Sequence, residues 1–584
     1  MLPTFDFFPE EDFCQNDKTC LNVLKTDTRN KKTLQIGSFK AREIIKICPK
    51  CGMQYRSKEL SKIVPPFCNF GYDVLVYVGK ALFENHLADN TIVESLELKD
   101  VNISASEIAY LGKKFVAYLA LAHRKGSAQI KAAMAQKGGY ILHLDATYED
   151  KSPLLMSGLD SIMKIVLGNC KILSEKSDNI IPFLKDIKDL FGEPLALVHD
   201  MSRGIIKAVS NVFPNTLDFI CHFHFLRDIG KDLLETEYDN IRKRLTKYGV
   251  TGKLNYRLRK LEQIVDKNMQ LIDIMNNQEA PCCVELLSYI PVIAVYSLIA
   301  WAFEGKKQGN GYGFPFDRPH LEFAKRLKII NADIDHLRQI KLRKDYKDNK
   351  PLHKTFFDLS DVMNDKSLWK SINKIESEIK VFEKLRSAMR IASKTSKNGL
   401  NNEGSNSRIS SIEKGVKKFK KEIMSSRGYS KNKQHQKMIE QIDKYWEKLF
   451  ADPIEIKSCD GKKYLQPQRT NNFAEQHFRE LKRGYRKKTG NGSLGKTLRT
   501  MLANTPLVKN LQNAEYMKIL LNGKSSLEEL FADIDATEVR SELKISQVNI
   551  DKIPAKLKIL IKKSDYPEIL KKYFNGLKSN VILW

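Results

Sequence analysis

The pattern of apolar residues changes at residue 138, and this change constrains the fold more than any other feature of the chain. Upstream of it, apolar residues recur at helical spacing, whereas residues 138–226 contain short apolar runs separated by turn residues. The runs predict three strands, a helix, a fourth strand, a second helix and a fifth strand, in that order. Elements in this order predict an α/β domain built on one mixed sheet that is flanked by helices.

Two of the predicted strands end in an aspartate. Asp145 follows the apolar run ILHL, and Asp200 follows LALVH. If the two strands are neighbours, both carboxylates leave the sheet at the same edge. Mg²⁺ prefers oxygen ligands, and phosphodiester cleavage by two metal ions needs several carboxylates at one point. An acid at a strand end is also a common turn former or helix cap, so neither aspartate is specific by itself.

A third acid lies far downstream, in a strongly basic segment. Residues 466–500 hold nine Lys or Arg against two Glu, and the part from Asn472 onward predicts an amphipathic helix. Glu475 is surrounded by these cations, and Arg479 and Lys482 follow it by four and seven residues, on the same helix face. The pattern predicts a third metal ligand next to groups that contact phosphate. The alternative is a solvated basic helix with internal Glu–Arg pairs.

The charge of the whole chain points to the same class of partner. Its 98 Lys and Arg outnumber its 70 Asp and Glu, for a formal net charge of +28. Such an excess suits a polyanion, because each neutralised phosphate releases counterions. Nucleic acid is the leading candidate, although ribosomal and membrane-surface proteins are also basic.

The cysteine pattern and the apolar segments bear on compartment. Ten cysteines at irregular spacing indicate a reduced interior rather than a secreted disulfide scaffold. The N-terminus lacks the features of a secretion signal. Residues 286–303 are apolar over about the length of a membrane span, but Pro291 and two serines favour a buried helix. We therefore expect a cytoplasmic protein without a membrane partner.

The N-terminal cysteines include one pair at metal-binding spacing. Cys48-Pro-Lys-Cys51 has the spacing of half a zinc knuckle, and Cys68 is the expected third ligand. No fourth ligand is evident, although Cys14 and Cys20 are available. The pattern predicts a structural Zn²⁺ site, with free buried thiols as the alternative.

Helices are predicted over residues 72–124. Within them, Ser104 and Glu107 have the spacing of a capping box, so residues 90–115 predict a helix, a short turn and a second helix. This is the pattern of a helix-turn-helix that reads DNA, and also that of many purely structural helix pairs.

Several motifs together resemble one enzyme family. HLDATYE, LALVHD followed by a helix, FP-x₆-CHFH, and RTNNFAEQHFRELKR after a long helical insertion resemble the DDE transposases of insertion sequences, in the Mutator-like and IS256-like group. The resemblance covers most of residues 138–500 and implies an RNase H-like fold. It also implies that Asp145, Asp200 and Glu475 are the catalytic acids and hold two Mg²⁺ or Mn²⁺ ions.

Further residues follow from the resemblance. Cys221 and His224 match a Cys-x₂-His element of such transposases, whose role could be structural packing, DNA contact or metal binding. Asp200 is followed by Met-Ser, where many relatives have a glycine, so the resemblance does not determine the conformation of this loop. The basic residues around the third acid would fix the scissile phosphate; they are Arg479, Lys482, Arg483 and Arg486.

The function implied is DNA transposition: cleavage at the ends of a mobile element and strand transfer into target DNA. The partners would be double-stranded DNA, as terminal inverted repeats and as target, and a second copy in a homodimer that joins two ends. The location would be the nucleoid in a prokaryotic cytoplasm. The alternatives are a domesticated, non-catalytic DNA-binding protein, a metal-dependent nuclease without strand transfer, and a helical scaffold or RNA-binding protein.

A chain of 584 residues is expected to form three or four domains. A Ser-, Asn- and Gly-rich stretch at 393–411 predicts a flexible loop inside a helical insertion. The predicted divisions are a segment with the zinc knuckle (1–71), a helix-turn-helix-like DNA-binding region (72–135), the first part of the RNase H-like catalytic core (136–230), an all-helical insertion (231–460), the last core helix with the third acid (461–515) and a helical tail (516–584).

Overall fold

A computed structural model describes residues 2–150, 152–277, 289–339, 350–391, 409–450, 452–458, 461–546 and 555–580. The chain forms two compact units. One, here called the composite unit, combines residues 1–219 with 453–584, and the other, the helical unit, comprises residues 220–452. The expected class, mixed α/β with a large helical insertion, agrees with this division.

The N-terminal region is a small sheet, which the sequence analysis did not predict. Its strands are paired in the order β1-β3-β2, with β4 on β3. The longest strand, β2, exposes most of its side chains, so its sequence NVLKTDTRNKK lacks the apolar alternation that marks a half-buried strand. The elements here are β1 (Thr4–Phe7), β2 (Asn22–Lys32), β3 (Ser38–Ile47), β4 (Gln54–Tyr55) and α1 (Lys58–Ile63).

Four helices follow, and one of them forms the centre of the core. They are α2 (Tyr72–Phe83), α3 (Asp89–Glu97), α4 (Ala105–Lys125) and α5 (Ser127–Gln136). Ser104 caps α4 as predicted, accepting a hydrogen bond from the Glu107 amide at 3.2 Å. All ten residues of 114–123 are buried, so this half of α4 is covered on every side. The first half of α4, which belongs to the predicted helix-turn-helix, keeps exposed residues at positions 106, 109, 110 and 113.

The predicted α/β pattern is present as a five-stranded mixed sheet. Its order is β7-β6-β5-β8-β9, with β5 antiparallel to β6 and parallel to β8. One boundary differs from expectation: the fifth strand ends at Ile220, because the following residues begin a helix. The elements are β5 (Ile141–Thr147), β6 (Leu154–Asp160), β7 (Ile165–Ile172), α6 (Ser177–Phe191), β8 (Ala196–His199), α7 (Arg203–Val212) and β9 (Leu217–Ile220).

The first part of the predicted helical tail, as far as Leu543, belongs to the core of the composite unit. Phe531 is fully buried, and its ring stacks on Tyr118 at 5.1 Å and meets Phe115 edge-on at 5.8 Å. The elements are the hairpin β10 (Ile454–Ser458) and β11 (Gly461–Leu465), then α18 (Asn472–Thr489), α19 (Gly495–Thr500), a 3₁₀ helix (Thr505–Gln512), α20 (Ala514–Leu521), α21 (Leu527–Ala532), α22 (Ala536–Ser546), α23 (Ala555–Ile561) and α24 (Tyr566–Asn580).

The helical unit begins about ten residues before the predicted insertion, since its first helix starts directly after β9. The apolar stretch 286–303 overlaps a helix from Ile290, and residues 278–288 lie outside the described part. The loop predicted at 393–411 also lies outside it, apart from residues 409–411. The helices are α8 (His222–Lys247), α9 (Val250–Lys267), α10 (Gln270–Asn276), α11 (Ile290–Lys307), α12 (Pro319–Gln339), α13 (Lys350–Met363), α14 (Lys366–Met389), α15 (Ile409–Met424), a 3₁₀ turn (Tyr429–Lys431), α16 (Lys433–Lys444) and α17 (Trp446–Leu449).

Among the helices of the described residues, none combines the length and apolarity needed to cross a membrane.

Candidate functional site

The two aspartates lie at neighbouring positions of adjacent strands, although Asp145 does not end its strand as expected: β5 continues to Thr147. Leu144 of β5 and His199 of β8 are register partners in a parallel pair, and each is followed by one of the acids. Asp145 and Asp200 therefore leave adjacent strands at the same level and at the same edge of the sheet. This is the arrangement that the sequence predicted for neighbouring strands.

The third acid is brought to this edge by a buried asparagine. Asn471 precedes α18 and is fully buried. Its side-chain amide donates to the Leu144 carbonyl at 2.8 Å, and its Oδ1 accepts from His143 Nδ1 at 3.0 Å. The Glu475 amide donates to the Asn471 carbonyl at 3.0 Å, which puts Glu475 in the first turn of the helix. The start of α18 is thus fastened to β5 at the residues that precede Asp145.

The electrostatics of Asp145 indicate that the acids share one small region. Burial raises the pKa of Asp145 well above its usual range, and the negative charge of Asp200 raises it further. Glu475 and Glu175 add smaller contributions of the same sign. The charges of Asp200, Glu475 and Glu175 therefore all disfavour the ionised form of Asp145.

Glu175 is a member of this group that the sequence analysis missed. It lies in the loop between β7 and α6, outside any strand end or recognisable motif. Gly204, in the first turn of α7, lies directly against this loop. A Cβ atom at position 204 would be 1.5 Å from the Glu175 carbonyl oxygen, so the close contact requires glycine.

The loop after Asp200 forms a tight turn although no glycine follows Asp200 directly. The Ser202 amide donates to Asp200 Oδ1 at 3.0 Å and stabilises the turn.

A basic face of α18 continues from Glu475. Arg479, Arg483 and Arg486 are exposed on the stripe that runs along the helix from this acid. Lys482 lies on the same stripe, where its ammonium pairs with Glu149 at 3.1 Å. Both partners are partly exposed, so the pair is weak enough to exchange for a phosphate.

Cys221 and His224 lie at the start of the helical unit. Cys221 is fully buried and caps the N-terminus of α8, and His224 is buried in its first turn, edge-on to Phe223 at 5.6 Å. Between them, His222 Nε2 donates to the Leu449 carbonyl at 2.8 Å. For Cys221 and His224, the sequence left open structural packing, DNA contact or metal binding. These contacts favour structural packing.

A second cluster of side chains, in the N-terminal region, has the spacing of a metal site. The ligand atoms of Cys14, Asp17, Cys48 and Cys51 all lie within 4.8 Å of one another. The sulfurs of Cys14 and Cys51 are 3.5 Å apart, and the Cys48 thiol donates to Asp17 at 3.3 Å. A hydrogen bond from the Thr19 amide lowers the pKa of Asp17 to about 2, so its carboxylate is ionised and able to bind a cation.

Cys68, which the sequence analysis gave as the third ligand, lies outside this cluster. It belongs to the main hydrophobic core of the composite unit, and its carbonyl accepts a hydrogen bond from Lys31 Nζ at 2.6 Å. Its position is set by the turn that leads into α2, away from the cysteine pair. Cys20, the other spare thiol, is exposed and outside the cluster. Cys14 and Asp17 are the groups that lie beside the Cys48–Cys51 pair.

The acid group is more widely spaced than the cysteine cluster. Within the described residues, only the cysteine cluster brings three or more Cys, His, Asp or Glu ligand atoms within 4.8 Å of one another. The three sequence-predicted acids therefore do not form a compact single-ion cage.

Comparison with known proteins adds no family to these observations: no protein-family model matches the chain, and no curated protein is significantly similar to it.

Proposed function

We propose that this protein is a DDE-type DNA transposase whose metal-binding acids are Asp145, Asp200 and Glu475. The observation that carries the proposal is the placement of Asp145 and Asp200 at neighbouring positions of adjacent parallel strands, with the start of the helix that carries Glu475 fastened to one of those strands. The element order, with three antiparallel strands followed by helix, strand, helix and strand, supports an RNase H-like assignment.

The donor set fits divalent cations with a preference for oxygen. Carboxylates are ligands for Mg²⁺ and Mn²⁺, whereas thiolates and imidazoles select softer metals. The raised pKa of Asp145 reflects burial and the repulsion of its neighbours, which bound cations would relieve. Asp145, Asp200 and Glu475 would hold two such ions, with Glu175 near enough to contribute to their field. Bound ions of this kind make water a nucleophile at neutral pH and stabilise the charge on phosphate oxygens.

The chain's own residues would orient the DNA around this centre. Arg479, Arg483 and Arg486 extend from Glu475 along an exposed face and would contact phosphates next to the scissile one. Lys482 would join them by exchanging Glu149 for a phosphate. Asn471 would keep Glu475 in position relative to Asp145 through its bonds to β5.

Two chemical steps would use the same site. In the first, a water oxygen displaces the bridging oxygen of a phosphodiester at the element's end and leaves a 3′-hydroxyl. In the second, that hydroxyl displaces a bridging oxygen in target DNA, so one phosphodiester forms as another breaks. Neither step needs a covalent protein intermediate. Since two ends must be joined, we expect a homodimer on double-stranded DNA, in keeping with the net charge of +28.

The test is cleavage and strand transfer by the full-length protein with Mg²⁺ or Mn²⁺. The donor DNA carries the sequences that flank the coding region on both sides, and a supercoiled plasmid serves as target. Asp145→Asn, Asp200→Asn and Glu475→Gln are each compared with the wild type. Glu480→Gln is the matched control, because Glu480 lies on the same helix but pairs with Lys509 on another face.

We expect the three acid variants to bind DNA and to form neither product, whereas Glu480→Gln forms both. An acid whose loss leaves cleavage intact does not belong to the site. Cleavage without transfer in the wild type would indicate a nuclease instead. DNA binding without any wild-type product would indicate a domesticated DNA-binding protein.

A further inference from the structure

The loop that carries the Cys48–Cys51 pair has the backbone of a metal-binding knuckle. The Cys48 amide donates to the Met53 carbonyl, and the Gly52 amide donates back to the Cys48 carbonyl, both at 2.9 Å. Gly52 has a φ of +72°, which lets the chain turn back immediately after Cys51. The loop closes the β3–β4 hairpin, in which Ile47 pairs with Gln54.

A second loop, earlier in the chain, repeats this backbone. The Cys14 amide donates to the Thr19 carbonyl at 2.8 Å, and the Lys18 amide donates back to the Cys14 carbonyl at 2.9 Å. Lys18 occupies the position that corresponds to Gly52. Its φ is +56°, a conformation that is uncommon for a lysine. An isolated antiparallel bridge between Phe13 and Cys20 closes this loop. Asp17 stands where the other loop has its second cysteine.

The side chains of the two loops point at one another. Each loop contributes its first and fourth residue, which gives three sulfurs and one carboxylate with ligand atoms within 4.8 Å of one another. Tyr55 supports the set from outside: its hydroxyl donates to Cys14 Sγ at 3.3 Å and accepts from the Gln15 amide at 2.8 Å. A tyrosine oriented in this way acts like the outer hydrogen-bonding partners that hold metal ligands in place.

The apolar packing around the loops is too small to hold them together unaided. Their hydrophobic cluster consists of Cys14, Leu21, Cys48 and Tyr55, and two of these four are members of the ligand set. Regions with so little core are usually stabilised by a disulfide or a metal. A Cys14–Cys51 disulfide would use only two of the four converging groups and would leave Cys48 and Asp17 out of the bond.

We propose that Cys14, Asp17, Cys48 and Cys51 form a structural Zn²⁺ site built from two equivalent knuckles, with Asp17 in the place of a fourth cysteine. Zn²⁺ accepts thiolate and carboxylate ligands in tetrahedral geometry, and four protein ligands leave no open position for catalysis. The ion joins residues 12–21 to the β3–β4 hairpin. This site is independent of the acids on the five-stranded sheet.

The test is the metal content of the full-length protein, purified under reducing conditions and measured by elemental analysis. We expect one zinc per chain in the wild type and in the controls Cys20→Ser and Cys68→Ser, which change thiols outside the set. Cys48→Ser and Asp17→Ala should lose the metal. Asp17→Cys should retain it, which separates the loss of a ligand from a failure to fold.

Replacement of zinc by Co²⁺ counts the sulfur ligands. The thiolate-to-cobalt absorption should increase in Asp17→Cys in the ratio of four thiolates to three, and the visible bands should keep their tetrahedral intensity. Wild-type protein without stoichiometric zinc, or loss of the metal in Cys68→Ser, would overturn the proposal. An unchanged cobalt spectrum in Asp17→Ala would remove Asp17 from the ligand set.

Discussion

The most informative single substitution is Asn471→Ala. It deletes both side-chain bonds that fasten the start of α18 to β5, and it leaves the Leu144 carbonyl and His143 Nδ1 without this partner. A buried polar group left unsatisfied costs about 1–3 kcal/mol, so the two together predict a loss of about 2–6 kcal/mol in the free energy of unfolding.

The same substitution should impair the proposed chemistry beyond its effect on stability. Without the two bonds, the first turn of α18 can shift, and Glu475 moves with it. A displacement of about 1 Å in a catalytic group costs on the order of 10²-fold in rate. We therefore expect DNA cleavage to fall by about that factor at a temperature where the variant is still folded.

Asn510 provides a matched control. It is equally buried and also binds a strand by two bonds, from the Val166 amide to its Oδ1 at 2.7 Å and from its Nδ2 to the Val166 carbonyl at 2.8 Å. Its strand partner lies in β7, away from the acids. Asn510→Ala should lose a similar amount of stability and keep the cleavage rate.

Thermal unfolding and cleavage assays on the two variants separate the two effects. Mn²⁺ binding, followed by electron paramagnetic resonance, adds a measurement that does not depend on DNA. The reasoning is refuted if Asn471→Ala leaves stability, cleavage and Mn²⁺ binding unchanged. Equal loss of cleavage in both variants would mean that Asn471 acts only through stability.

Further predictions concern charge, pH, packing and DNA contact. Asp145→Asn removes a buried negative charge beside like charges, so without metal the variant should be more stable than the wild type by about 1 kcal/mol. Mg²⁺ should raise the melting temperature of the wild type and leave that of Asp145→Asn unchanged. Burial lowers the pKa of His123 to about 4, so the unfolded chain takes up its proton first as the pH falls. The stability that His123 contributes above about pH 6.5 is therefore lost as the pH falls toward 4. Between pH 7.5 and pH 5, the melting temperature of His123→Gln should fall less than that of the wild type. Phe531→Ala should cost about 3–5 kcal/mol in chemical denaturation, because its ring fills the core beside α4, and an unchanged midpoint would contradict that placement. Lys482→Met should reduce the slope of log K against log salt for DNA binding by about 1, the contribution of one phosphate contact. An unchanged slope would mean that Lys482 stays paired with Glu149 in the DNA complex.

The central sheet could be predicted from sequence because its strands are short, continuous apolar runs. Burial on both faces produces such runs, and Asp200 follows the last residue of β8, whereas β5 continues for two residues beyond Asp145. The start of α18 was also predictable, since the amphipathic pattern begins at its first residue, Asn472. The hairpin of β10 and β11 was not, because alternation in β11 is obscured by lysines on an exposed strand.

The side-chain partners of the candidate sites could not be predicted in the same way. Asn471 reads as an ordinary helix cap, and its partner His143 is 328 residues away in the sequence, so no local pattern connects them. Asp17 was missed because an acid three residues after a cysteine is common in any polar turn. Only the repeated backbone of the two N-terminal loops distinguishes it.

The distance between the parts of the acid site has a consequence for how the protein is made. All five strands of the central sheet have been synthesised by Ile220, but the helix that carries Glu475 follows only after the whole helical unit. At about 5–20 residues per second, the roughly 250 residues from Ile220 to Asn471 take on the order of 13–50 seconds to translate. During that interval the nascent chain can fold its sheet and has two of its three acids. The third arrives late, so under the proposed function a ribosome-bound or prematurely terminated chain would carry an incomplete acid site.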